Sequence, residues 1–117
     1  MYKILYLLIP LLLCSCKSDA EMAMERGIQL YDWNKLDDAI IEFNKVKYLL
    51  ADEDKKTLES MELLAQAHFN LGITYAKMNF YNQAEQEILN ALSLIPNAEY
   101  RDVLKLIRNK IDNQSNN

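Results

Sequence analysis

The chain has 117 residues, 13 basic against 17 acidic, a formal charge of −4 and a half-hydrophobic composition. That length supports one domain with one core. Net acidity without a cluster of Lys and Arg argues against nucleic acid, whose phosphates are held by such clusters.

The first fifteen residues differ from the rest. Lys3 supplies one positive charge, and Ile4 to Leu13 is then apolar throughout, with Pro10 inside it. Ten residues are half of the roughly 20 that span a bilayer as a helix, and they suit the apolar core of a secretory signal. A buried helix is the competing reading, but a proline in a helix interior costs about 3 kcal/mol. The segment closes on Leu13-Cys14-Ser15-Cys16, which resembles the bacterial lipoprotein signal. In that pattern a leucine, a tolerant position and a small residue precede the cysteine that is lipidated. The resemblance implies a diacylglyceryl group on the Cys16 thiol, cleavage before Cys16, and a covalent lipid as the one attached group. Cys14 fits less well, because Leu13 stands where a small residue belongs. A bridge between Cys14 and Cys16 is the alternative, and it would be strained. Lys17 stands where an aspartate would imply inner-membrane retention, so the resemblance implies an outer-membrane destination. Lys17-Ser18-Asp19 also resembles a surface-export signal of some lipoproteins.

Residues 16–21 read as the lipidated cysteine and a polar tether, 22–112 as the folded domain and 113–117 as a frayed Asn-rich tail. Within the domain the pattern is helical, with no period-two alternation. The expected helices run from about Glu21 to Asp32, from Leu36 to Leu50, to about Met78, from Tyr81 to before Pro96, and from Ala98 to Ile111. Asp52-Glu53-Asp54 offers capping oxygens and favourable charge at the start of the third. Asn97 is placed to cap the fifth.

Leu71, Gly72, Tyr75, Ala84, Ile88, Ala91 and Pro96 follow a spacing that resembles the tetratricopeptide repeat, a 34-residue helix-turn-helix. His68 departs from it, standing where a large residue is usual. A weaker copy places Gly27, Leu30, Ala39 and Phe43 on the corresponding positions, with Arg26, Val46 and Ala51 as departures. The copies lie 45 residues apart, Gly27 to Gly72. The extra residues are expected to lengthen the third helix, along the apolar line Leu58, Met61, Ala65, His68, Gly72 and Tyr75. The resemblance implies an all-α fold of two repeat-like hairpins with an elongated third helix. The stripe Tyr100, Val103, Leu104, Ile107 and Ile111 then belongs to a C-terminal capping helix.

In this family the first helix of each repeat lines a concave groove. Carried over, the groove residues are Met24, Ile28, Tyr31, Phe69, Ile73 and Lys77, with Glu21, Asp32, Gln66 and Ala76 on the same positions. The Lys/Asn carboxylate clamp of one subfamily is absent, and the line is apolar enough for an amphipathic helix. Three readings of that line stay open: an exposed groove, burial within the chain, or self-association. The implied function is a membrane-anchored adaptor or assembly factor for an envelope protein or peptide, including a pilotin-like carrier of one subunit. The alternative is a self-associating structural subunit. Binding of a lipid or peptidoglycan fragment is a third, needing a cavity of roughly 300 Å³.

Enzymatic chemistry is not expected. The single histidine, His68, falls at a packing position, so no metal pair is available, and no Gly-rich turn could cradle phosphate. Asp52-Glu53-Asp54 lacks the glycine and twelfth-position glutamate of a calcium loop. No cofactor or metal site is therefore expected.

Overall fold

A computed structural model describes residues 16–51 and 56–117. The apolar segment 1–15 and the run Asp52-Glu53-Asp54 lie outside the described residues. Five helices and no strand occur among the described residues: α1 Asp19–Asp32, α2 Leu36–Ala51, α3 Leu58–Lys77, α4 Tyr81–Leu94 and α5 Ala98–Ser115. The fold is all-α.

Each start has a local cause. Ser18 Oγ accepts from Glu21 N at the head of α1, so the helix begins inside the segment expected to be tether. The segment ahead of the helix shrinks to Cys16–Ser18. α3 begins at Leu58, where Thr57 and Ser60 cap each other reciprocally; that capping box satisfies two otherwise orphaned backbone donors. The acidic run therefore does not directly cap the described helix. Asn97 Oδ1 accepts from Tyr100 N at the head of α5. That helix continues to Ser115, further than the expected frayed tail allowed.

α1–α2 and α3–α4 are antiparallel hairpins that repeat one another at an offset of 45 residues. The three-residue turns 33–35 and 78–80 are superimposable in their bonding. Asn34 N donates to Tyr31 O and Lys35 N to Leu30 O; Asn79 N donates to Ala76 O and Phe80 N to Tyr75 O. Asn34 and Asn79 both take left-handed backbone, φ 60° and 66°. This is a Schellman ending with Asn in place of the usual Gly. The residues inserted relative to a 34-residue period mostly lengthen α3, which has 20 residues against 14 in α1 and α4. The remainder falls in α2 and the connection after it.

Two apolar clusters fill the interior, and α3 belongs to both. Ala67 and Leu71 pack with Ala23, Met24, Ala39, Phe43 and Val46 on one side. Ala65 and Phe69 pack with Ile88, Ala91, Tyr100, Leu104 and Ile107 on the other. α3 therefore buries two opposite faces, which leaves the apolar line expected along it only partly in force. Leu58, at its exposed first position, stays 67% accessible.

The hairpins close on glycine. A Cβ added at Gly27 would stand 2.5 Å from Phe43 Cε1, and one added at Gly72 would stand 2.5 Å from Ile88 Cδ1. These are sites of close helix approach, where a larger residue would force the facing side chain to shift.

Candidate functional site

α1, α3 and α5 lie side by side, and their common outer face is the candidate site. On α1 the stripe is Glu21, Ile28 and Tyr31; on α3 it is Glu59, Glu62, Gln66, Ile73 and Lys77. Spacings of three and four residues keep each set on one face of its helix. Two hollows open along it. One of about 100 Å³ lies between α1 and α3, lined by Ile28, Tyr31, Phe43, Asn70 and Ile73. A wider one of about 370 Å³ lies between α3 and α5, lined by Ile73, Ala76, Val103, Leu106, Ile107 and Lys110 among others. Ile73 is common to both. The wider hollow has the volume of a small-ligand site, but it is open to solvent rather than enclosed.

Charge grades along this face. Glu21, Glu59 and Glu62 surround a third hollow at the N-terminal ends of α1 and α3. Lys77 stands in the last turn of α3, and Lys110 in the C-terminal half of α5. Along α1 and α3 the charges follow the helix dipoles, with Glu21 and Glu59 in first turns and Lys77 in a last turn. Lys77 Nζ also sits 4.7 Å from the centroid of the Tyr31 ring, a cation–π contact tying α1 to α3 at the rim.

The six residues expected to line the groove divide. Ile28, Tyr31, Ile73 and Lys77 are brought together on the open face. Met24 and Phe69 are not on it: they are 4% and 7% exposed. Met24 faces the first core, where Asn70 Nδ2 approaches its sulfur at 3.3 Å. Phe69 is covered by α5, its ring stacked on Tyr100 with centroids 4.4 Å apart. The stacking partner is the reason for this correction, because the last helix occupies the space a ligand would need at Phe69. Burial pushes the Tyr100 hydroxyl pKa up, and Glu99 and Glu62 add to it.

Sequence reasoning missed the contribution of α5. Val103, Leu106 and Lys110 carry the apolar strip and the basic rim one helix further than two repeats would. A signal was available: one 34-residue step from Ile73 reaches Ile107, and from Ala76 it reaches Lys110.

Behind the groove a charged cluster joins three helices. Glu87 on α4 accepts from His68 Nδ1 on α3 at 2.6 Å, and from Lys47 Nζ on α2 at 3.5 Å. An ionised carboxylate only accepts, so His68 carries its proton on Nδ1. Burial alone would raise the Glu87 pKa; the His68 hydrogen bond and the Lys47 charge outweigh it, and the carboxyl ends below its ordinary value. His68 is thus a hydrogen-bonded packing residue. Among the described residues no group of three or more His, Cys, Asp or Glu converges as a metal site would, and no helix is long and apolar enough to cross a membrane.

Cys16 is exposed, two residues ahead of the Ser18 cap. No family model matches the sequence, and comparison with curated proteins found no match.

Proposed function

We propose that this chain is a lipid-anchored envelope protein of the tetratricopeptide-repeat type, and that its α1–α3–α5 face docks an amphipathic segment of a partner protein. The observation that carries this reading is Ile73. It is part-exposed at the junction of two apolar hollows, with Ile28 on one side and Val103 and Leu106 on the other. An apolar strip crossing three helices between an acidic and a basic rim suits a helix with one apolar face and opposite charge at its flanks. The resemblance of Leu13 to Cys16 to a lipoprotein signal supports the anchor, which would hold the groove at the outer membrane.

The test is Ile73→Asp in the full chain. Partner binding falls at least tenfold while helicity and membrane recovery stay unchanged. A folded, anchored variant that still binds its partner removes the groove from the account. Self-association is the second reading, favoured by Leu106, which is 64% exposed on a terminal helix. Mass that rises with concentration in the absence of any partner would support it.

A further inference from the structure

We infer that one end of the helical bundle, the end bearing α1's first turn, rests directly on the lipid surface through Met22, Tyr48, Leu49 and Leu58. The inference rests on the anchoring of Cys16 proposed above and adds an orientation to it.

The tether between Cys16 and α1 is short. Cys16 lies three residues from Asp19, the first residue of α1, a reach of at most about 10 Å. Even that is not slack. Ser18 is committed to the cap, and Lys17 pairs with Glu25 about two turns further along. An acyl chain on Cys16 therefore holds the start of α1 within about 10 Å of the headgroups.

Helix direction then decides what else lies at that end. In two successive antiparallel hairpins the N-termini of α1 and α3 and the C-terminus of α2 share one end. The hollow bounded by Glu21, Glu59 and Glu62 shows α1 and α3 meeting there. Large apolar side chains are exposed in each of these turns: Met22 in the first turn of α1, Tyr48 and Leu49 in the last of α2, Leu58 at the first position of α3. Tyr48 is 76% exposed and Leu58 67%. An exposed tyrosine followed by an exposed leucine suits the boundary between headgroups and acyl chains.

The opposite end also exposes aromatics, Trp33 and Phe80, so apolarity alone does not choose. Distance does. The 14 residues of α1 put Trp33 about 20 Å from the anchored end at 1.5 Å per residue, beyond what three residues of tether can span. Asp19, Glu21, Glu59 and Glu62 share the anchored end, so contact is made with zwitterionic lipid and weakens as anionic lipid is added.

The experiment uses the full chain produced in a Gram-negative host, extracted and reconstituted in phosphatidylcholine vesicles with brominated acyl chains. The mass of the N-terminal peptide reports acylation of Cys16. Fluorescence is compared between the wild type, whose single tryptophan is Trp33, and the Tyr48→Trp and Leu58→Trp variants, each combined with Trp33→Phe. Bromine is expected to quench both variants at least threefold more than the wild type, at equal helicity. Acylated protein with equal or stronger quenching at Trp33, or none in either variant, overturns the orientation. Unacylated Cys16 overturns the anchor itself, and the orientation with it.

Discussion

The two hairpins share a backbone plan and differ in what fills it. Both end their first helix on a left-handed Asn, and both bring helices together at a glycine. In the first hairpin Gly27 faces the flat ring of Phe43; in the second Gly72 faces the branched chain of Ile88. The same offset relates Glu42 to Glu87, and here the difference is functional. Glu42 pairs with Arg26 and Lys45, both half-exposed and both within the first hairpin. Glu87 pairs with His68 of its own hairpin and with Lys47 of the first, both more buried than the partners of Glu42. One position thus pairs only within its own copy in the first hairpin, and in the second it is also a strut to the neighbouring copy. A repeat fixes where side chains go; their surroundings decide what they do.

The largest effects should come from the core fillers. Phe43→Ala is expected to cost about 3–5 kcal/mol and Ile88→Ala about 2–5 kcal/mol, read from urea unfolding. Because α3 packs in both clusters, either change should shift one shared transition. Separate midpoints by Trp33 fluorescence and by helicity would show that the first hairpin melts alone.

Glu87→Gln should cost about 1.5–3 kcal/mol at pH 7, as expected for a part-buried hydrogen bond to a charged group. Glu42→Gln should cost less than about 1 kcal/mol. The Glu87 pKa is lowered on folding, so its contribution is complete above the unfolded value of about 4.3. It is lost as pH falls through the lower folded value. The wild type should lose more stability than Glu87→Gln between about pH 5 and 3; parallel pH profiles would remove the strut.

Gly27→Ala should destabilise by about 1–2 kcal/mol, overpacking against the ring outweighing the better helix propensity. Gly72→Ala should cost a comparable amount, since Ile88 Cγ1 and the Ala84 carbonyl oxygen crowd the added Cβ at 2.8 and 3.2 Å behind Ile88 Cδ1. Adding Phe43→Leu to Gly27→Ala should recover part of the loss, a coupling visible in a double-mutant cycle. Smallest of all, Asn34→Ala and Asn79→Ala should each cost about 1 kcal/mol for left-handed backbone. Calorimetry should find Asn79→Ala the costlier of the two, because Asn79 Oδ1 also accepts from the Tyr81 hydroxyl at 2.9 Å.

Much of this plan is legible in the residues. Three- and four-residue spacing gives the helices, Trp33-Asn34 and Asn79 mark the turns, and Gly27 and Gly72 mark the close approaches. What is not legible depends on partners distant in sequence. Nothing near Phe69 says that Tyr100 will stack on it, and nothing near Met24 says that the first core will take it. Both have the periodicity of a groove residue and the burial of a core one. The start of α3 was hidden for a different reason, since Thr57 and Ser60 form a weaker-looking cap than the acidic run before them. The stripe of α5 reads as a cap because Tyr100, Leu104 and Ile107 cover the second core, while Val103 and Leu106 beside them extend the groove.

The central claim is that the α1–α3–α5 face receives a partner. Photo-crosslinkers placed at Ile28, Ile73 and Leu106, with Ile41 on the outer face of α2 as control, test it in cells. The account predicts one and the same envelope protein captured from the first three positions and not from Ile41, with capture at Ile28 abolished by Ile73→Asp. Capture of that protein equally from Ile41, or of only this chain itself from Ile73, would contradict it.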